Sequence, residues 1–160
     1  MQGFARGGDA RMTRCHDAGF TLVEVMIGVA IVGVLAALSA TNYQIYIDRV
    51  RVARAIVEIK GISLHLSTIV INGGRLPPSL AAVQLTQKDP WGRVYVYRRI
   101  SGTPPFLVRK DQFLVPLNTD FDLYSVGPDG QSRPAITDPL SLDDVVRGAN
   151  GAFIGLARNY

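Results

Sequence analysis

The sequence predicts an α+β protein in which one long N-terminal helix packs on a small antiparallel β-sheet. Two observations support this fold class. Residues 20–71 contain no proline, and their apolar side chains recur at helical spacing over the second half. After residue 76, short β-branched and aromatic runs alternate with turns that contain proline and glycine, which is typical of strands. A chain of 160 residues suits one domain with an added anchor.

Residues 1–19 form a polar leader that differs from an ordinary secretory signal. The leader carries Arg6, Arg11 and Arg14 but has no apolar core. In a standard signal peptide, the apolar stretch precedes the cleavage site and is removed with it. Here the apolar stretch follows the candidate cleavage site after Gly19, so we expect the stretch to remain in the mature chain. The single cysteine, Cys15, lies in the leader, so the mature chain is expected to contain no disulfide.

Residues 20–40 are an apolar run, expected to be a transmembrane helix. At 1.5 Å per residue, the run reaches about 30 Å, the thickness of the hydrocarbon core of a bilayer. Its one ionisable residue is Glu24, whose charge in lipid is costly unless it is paired. A cut after Gly19 would place the new α-amino group of Phe20 one helical turn from Glu24. Arginines ahead of the run, and none until Arg49, predict a cytoplasmic N-terminus.

Residues 41–71 are predicted to continue the same helix with an amphipathic pattern. Two neighbouring apolar rows form a broad face: Tyr46, Val50, Ala53, Val57, Gly61 and Leu64, and beside them Ile45, Val52, Ile56, Ile59, Ile62 and Leu66. Charged residues fill much of the opposite side: Asp48, Arg51, Arg54 and Glu58. We expect one helix from Phe20 to about Ile71, ended by Asn72-Gly73-Gly74.

Residues 72–160 are predicted to form a globular head with a C-terminal loop. Ser79 is a candidate N-cap for a short helix over residues 80–83. The predicted strands are Val94-Tyr95-Val96-Tyr97, Phe113-Leu114-Val115 and residues 121–126, and the predicted turns are residues 89–92, 102–105 and 127–130. Residues 131–150 are expected to be an ordered loop or a last short helix near residues 142–147.

The segment Gly19-Phe20-Thr21-Leu22-Val23-Glu24 resembles the processing site of the type IV pilin and pseudopilin family. The resemblance implies that a membrane aspartyl peptidase cuts between Gly19 and Phe20 and then N-methylates Phe20. It also implies that residues 20–40 form the core of a filament, and that Glu24 pairs with the N-terminal ammonium of a neighbouring subunit and sets the register. Many relatives carry a helix-kinking proline where this chain has Thr41, so a bend there is left open.

Two further patterns resemble the major pseudopilin of the type II secretion system: Asp89-Pro90-Trp91-Gly92 and residues 121–130. This resemblance implies a structural subunit of a pseudopilus that assembles from the inner membrane and drives export of folded proteins. The implied partners are other copies of the chain in a helical homopolymer, minor pseudopilins, the prepilin peptidase/methyltransferase, the inner-membrane platform protein and the assembly ATPase. The implied location is a single pass through the inner membrane with the head in the periplasm.

The same resemblance implies a calcium ion in the loop after the last predicted strand, held by aspartates and main-chain carbonyls. The implied carboxylate ligands are Asp129, Asp143 and Asp144, with Asp122 and Asp138 as spare carboxylates. Calcium accepts hard oxygen ligands of this kind in flexible loops. The competing interpretation is structural: residues 127–130 form a plain turn, and Asp143 and Asp144 stabilise the start of a helix.

The sequence leaves other functions open. A type IV pilin, or a minor or competence pseudopilin, would share the anchor but act in adhesion, motility or DNA uptake. A signal-anchored periplasmic protein would keep Met1 and would not assemble. An enzyme is not expected, because His16 leaves with the leader and His65 lies in the long helix without a catalytic set around it. The dispersed charge does not predict nucleic-acid binding.

Overall fold

The computed structural model describes residues 19–160, apart from the side chains of residues 39–42. The expectations for the leader, including Cys15, therefore lie outside the described residues, and a bend at Thr41 stays open. The described chain divides between Asn42 and Tyr43 into two compact units. The predicted fold class is confirmed: a long N-terminal helix precedes a four-stranded antiparallel sheet.

Helix α1 spans Leu22–Ile71, and both of its ends carry recognisable local signals. At the start, the Thr21 hydroxyl accepts a hydrogen bond of 3.2 Å from the Glu24 amide, as an N-cap residue does. At the end, Gly73 adopts a φ of +79°, and the Gly74 amide donates to the Ile69 carbonyl at 2.9 Å. This Schellman-type ending leaves few unsatisfied carbonyls and confirms the predicted end of the helix near Ile71.

In the first unit, the helical residues 22–38 are exposed along all faces of the single chain. Among the described residues, α1 is the one helix long and apolar enough to cross a membrane by length and composition, with a mean hydropathy of 2.4 in its best window. Burying a large apolar side chain contributes about 1.5–3 kcal/mol. Lipid or neighbouring helices are therefore needed to cover this segment.

In the second unit, only one of the two predicted apolar rows packs on the sheet. Ile59, Ile62 and Leu66 are buried, whereas Val57 and Leu64 in the other row are each 69% exposed. The sheet is narrow, because its strands are only four or five residues long, so it covers one side of the helix. The other row stays on the surface of the single chain.

The sheet is an antiparallel meander with the strand order β1-β2-β3-β4. Its strands are β1 (Val96–Arg99), β2 (Phe121–Ser125), β3 (Val145–Gly148) and β4 (Phe153–Leu156). Alternate residues point to opposite faces. On the first face, Phe121, Leu123 and Val145 pack with α1, together with Tyr95 from just before β1. On the second face, Tyr124 and Val146 pack with three residues from outside the strands: Leu117, Ile136 and Ala157.

Several predictions for the head are confirmed, with small shifts in position. The strand predicted over residues 121–126 is β2, and the strand predicted over residues 94–97 begins two residues later as β1. The short helix after Ser79 is a 3-10 turn over Ala81–Val83, and the Ser79 hydroxyl accepts a hydrogen bond from the Ala82 amide at 3.3 Å. The turn at residues 89–92 is closed by a 2.9 Å bond from the Gly92 amide to the Asp89 carbonyl.

The strand predicted at Phe113-Leu114-Val115 is wrong. These residues lie in an exposed turn, because the Asp111 carboxylate accepts hydrogen bonds from the amides of Phe113 and Val115 at 2.8 and 2.9 Å. Leu114 adopts a φ of +61°, which is incompatible with an extended strand.

The short helix predicted near residues 142–147 is also wrong, because Val145–Gly148 forms β3 in the interior of the sheet. Val145 and Val146 fill the cores on the two faces, as β-branched side chains on a pleated strand do. Both β3 and β4 lie in segments for which no strand was predicted. β3 and β4 form a hairpin in which Gly148 pairs with Phe153, so the runs Val145-Val146 and Phe153-Ile154 were an available local signal. The pairing of β3 with β2, which places Val146 opposite Tyr124, joins residues far apart in sequence.

Arg147 on β3 connects the helix to the sheet through a buried hydrogen-bond network. Its side chain is 2% exposed. Its Nε donates to the Ser63 hydroxyl on α1 at 2.9 Å, and its Nη1 donates to the Phe121 carbonyl at 3.1 Å and to Asn118 Oδ1 at 3.2 Å. The Asp120 carboxylate accepts two bonds of 2.8 Å from the same guanidinium. This two-pronged arrangement is the strong form of an arginine–carboxylate pair.

The pKa of Asp120 reflects two opposing effects. Partial burial raises it, but the hydrogen bonds from Arg147 and the backbone together hold the pKa below its ordinary value of 3.8. A lowered pKa in the native state means that the unfolded chain binds more protons in acid. The pair therefore stabilises the head at pH values above the ordinary pKa of 3.8. This stabilisation is lost as the pH falls through the lowered pKa of Asp120 in the native state.

The difference between the two helix rows predicts a contrast in stability. Ile59→Ala should lower the free energy of unfolding by about 2–5 kcal/mol, because it opens a cavity against the sheet. Val57→Ala, two residues away on the exposed row, should change it by less than about 0.5 kcal/mol. Denaturant unfolding of the full chain in detergent, followed by Trp91 fluorescence, measures both values. Equal effects of the two substitutions would contradict the assigned burial.

The Asp120–Arg147 pair predicts a pH dependence. Asp120→Asn should lower the Tm at neutral pH, because it leaves the buried Arg147 without its counter-charge. The difference from the unmodified chain should persist down to about pH 4 and disappear below it. Thermal unfolding across this range measures the difference. Asp111→Asn, in an exposed turn, is the matched control, and a gap that widens in acid would refute the assignment.

Candidate functional site

The bond between Gly19 and Phe20 lies in an exposed segment immediately before α1. Residues 19–21 are not helical, and Phe20 is 82% exposed. A side chain added at Gly19 would meet no atom within 4 Å. Packing among residues 19–160 therefore does not require glycine at position 19.

Glu24 lies in the first turn of α1, beside the Thr21 cap. A carboxylate at this position interacts favourably with the positive end of the helix dipole. Among residues 19–160, no ion pair to the Glu24 carboxylate is found, and the next basic residue along the chain is Arg49. In lipid, the charge of Glu24 would therefore need a counter-charge that residues 21–48 do not supply.

The three implied calcium ligands do not converge on one point. Asp144 is fully buried and lies 2.8 Å from Arg109, measured from Oδ2 to Nη2. Asp143 Oδ2 is 3.4 Å from the Asp129 amide, and Asp129 Oδ1 accepts a hydrogen bond from the Gln131 amide at 2.8 Å. In the part of the chain that the structure describes, no three acidic, histidine or cysteine side chains are grouped closely enough to hold a metal ion.

The two spare carboxylates also have structural partners. Asp122 is buried and accepts hydrogen bonds from the Arg109 amide at 2.8 Å and from Asn118 Nδ2 at 3.1 Å. Asp138 Oδ1 accepts a bond of 3.0 Å from the Leu140 amide and caps the 3-10 turn Pro139–Ser141. Neither residue lies in a group of acids, and the calcium site stays a prediction.

Burial controls the ionisation of the buried acids. It raises the pKa of Asp122, against the opposing effect of its hydrogen bonds. It raises the pKa of Asp144 to about 6, and the positive charge of Arg109 opposes this rise. Asp144 is therefore mostly ionised at neutral pH and forms a charged pair with Arg109.

Sequence reasoning missed two arginines that organise the C-terminal loop. Arg109 is 2% exposed and follows the buried Val108. Its position at the end of the apolar run 106–108 was the sequence signal that could have indicated a buried cation. Arg93 follows the turn at residues 89–92, and its Nη1 donates to the Gly127 carbonyl at 2.6 Å. Because their partners lie far along the chain, their roles are visible only in the folded head.

Comparisons with known proteins agree with this geometry. A family profile described as the prokaryotic N-terminal methylation motif matches residues 14–40. Type II secretion system core protein G of Pseudomonas aeruginosa is 30% identical over 139 residues, which cover 79% of this chain and 94% of that protein. A fimbrial protein of Pseudomonas aeruginosa is 39% identical over 71 residues, which cover 44% of this chain and 46% of that protein.

A third relative extends the same pattern. The type IV major fimbrial protein FimA of Dichelobacter nodosus is 46% identical over 55 residues, which cover 34% of this chain and 35% of that protein. No solved structure matches the chain.

Three features together define a protein of pilin-like architecture. They are an exposed Gly-Phe junction, a helix of membrane-spanning length with an acid in its first turn, and a head with a small antiparallel sheet. The chain belongs to the type IV pilin and pseudopilin family, because its methylation motif and its match along nearly all of core protein G agree with this architecture. The resemblance found in the sequence is thereby confirmed.

Proposed function

We propose that this chain is a structural subunit of a type II secretion pseudopilus, which grows from the inner membrane and drives the export of folded proteins. The observation that carries the proposal is the extent of the match to core protein G, which spans 94% of that protein. The two fimbrial relatives are matched over less than half of their lengths. The similarity to core protein G therefore includes the head as well as the anchor.

The exposed apolar part of α1 serves this function in two states. Before assembly, residues 20–40 anchor the chain in the bilayer, and after assembly they pack with the same segments of other subunits. Ala30, Gly33 and Ala37 recur at helical spacing on one face, and a Cβ at Gly33 would meet no atom within 4 Å. Small residues of this kind let neighbouring helices approach closely in lipid.

Glu24 gives the assembly its register in this proposal. The carboxylate accepts the N-terminal ammonium of the adjacent subunit, which forms only after the cut before Phe20. The prepilin peptidase supplies that cut and then methylates the new amine. Minor pseudopilins and the platform protein are the other proposed partners, with the head in the periplasm. The role is structural and not enzymatic.

The alternative function is that of a type IV pilin or a minor or competence pseudopilin. Local identities of 39% and 46% to fimbrial proteins favour this alternative. The two functions differ in what fails when assembly is blocked: export of folded proteins in one, and surface pili or DNA uptake in the other.

The processing site gives a direct prediction. Membranes that contain an active prepilin peptidase should yield a chain that begins with N-methyl-Phe20, as measured by N-terminal sequencing and intact mass. Gly19→Leu should leave the leader attached, whereas Gly28→Ala, inside the helix, should be processed normally. Recovery of Met1 from the unmodified chain would show an uncut anchor instead.

Glu24 tests both assembly and the secretion function. In the source bacterium, Glu24→Gln should be processed and inserted, but filament yield should fall about tenfold or more, because the register-setting charge is lost. Exoproteins should then accumulate in the periplasm. Asp48→Asn, an exposed acid in the second half of α1, is the control and should secrete normally. Normal secretion with loss of surface pili would favour the type IV pilin function.

A further inference from the structure

The guanidinium of Arg109 lies among oxygen atoms of the C-terminal loop. It lies in the segment between β1 and β2, and its guanidinium is almost fully buried. Nη2 lies 2.8 Å from Asp144 Oδ2, and Nη1 donates to the Arg133 carbonyl at 2.7 Å and to the Ser132 hydroxyl. The guanidinium carbon is 4.4 Å from the centre of the Tyr124 ring. One fixed cation thus binds a carboxylate, a carbonyl and a hydroxyl oxygen.

These oxygen atoms are of the types that calcium prefers, but few of them remain available. Asp144 Oδ2 accepts a hydrogen bond of 2.6 Å from the Ser132 hydroxyl and is held by the ion pair to Arg109. Asp144 Oδ1 is buried without a hydrogen-bond partner. Asp144 therefore offers one carboxylate oxygen toward the roughly six to eight that calcium takes. A divalent ion beside Asp144 would also be repelled by the guanidinium of Arg109.

Arg93 binds the other part of the same loop. Its Nη1 donates to the Gly127 carbonyl at 2.6 Å and its Nη2 to the Pro128 carbonyl at 3.3 Å. A Cβ at Gly130 would lie 2.6 Å from Arg93 Nη2, so the turn closes tightly over the guanidinium. The main-chain carbonyls of the turn that resembles the family's calcium loop are therefore also bound by an arginine.

We propose that Arg93 and Arg109 close the C-terminal loop of this head in place of the calcium ion that the family resemblance implies. Arg109 neutralises Asp144 and ties the loop to the segment before β2. Arg93 ties the turn at residues 127–130 to the segment before β1. The head is thereby stable without a metal ion. This proposal concerns the stability of the head and does not depend on which filament the chain builds.

The first test compares the unmodified full chain in excess EGTA and in millimolar calcium chloride. Millimolar calcium saturates even the weak sites of extracellular proteins. Thermal unfolding in detergent is followed through Trp91, the only tryptophan, which packs against the core of the head. The proposal expects the same Tm in both solutions. A rise of several degrees in calcium, absent with magnesium, would overturn it.

The second test uses substitutions at the charged pair. Arg109→Met and Asp144→Asn should each lower the Tm by about 10 °C or more, because each leaves one buried charge unpaired. The double variant should be more stable than either single variant, which is the sign of a direct charge pair. Arg93→Met should also lower the Tm, with a smaller loss because its guanidinium is less buried.

Asp129→Asn is the matched control in the same loop. Asp129 lies in an exposed turn, and an asparagine can still accept the bond from the Gln131 amide. The proposal expects an unchanged Tm for this variant. If the loop held calcium, Asp129→Asn would instead lower the Tm as much as Asp144→Asn does. This loss would be seen only when calcium is present. If the pair variants fail to fold, the comparison of EGTA with calcium on the unmodified chain still decides the question.

Discussion

The head depends on the packing of one face of α1 against one face of a four-stranded sheet. Ile59 and Ile62 on the helix meet Phe121 and Val145 on the sheet in a single buried cluster. A sheet of four short strands cannot bury its own apolar face, so the helix is an integral part of the head. Arg147 reinforces this contact, because its guanidinium reaches from β3 to the Ser63 hydroxyl on the helix.

The second face of the sheet is covered by loops and not by a helix, so its stability depends on how these loops are held in place. Loops bury little apolar surface, and the described residues contain no cysteine that could cross-link them. Buried arginines supply the connections. Arg109 and Arg147 each bind several oxygens from distant parts of the chain, and each lies close to an aromatic ring. Guanidinium groups suit this purpose, since their planar forks satisfy several acceptors at once.

The start of α1 has the opposite character, since its apolar side chains are exposed and its single acid has no ion pair among the described residues. Such a segment is stable only where its surroundings are apolar and supply a positive charge. A bilayer meets the first condition and a neighbouring processed subunit meets both. In the proposed function, the same residues favour the membrane before processing and a filament after it.

The sequence by itself determined the features whose signals are local. The Thr21 cap, the Gly73 ending of α1, the turn at residues 89–92 and strand β2 all follow from residues within a few positions of one another. Only the tertiary structure decided which apolar row of α1 is buried, that residues 145–148 form a strand, and that Arg109 binds Asp144. Each of these depends on groups far apart along the chain, which become neighbours only when the sheet closes on the helix.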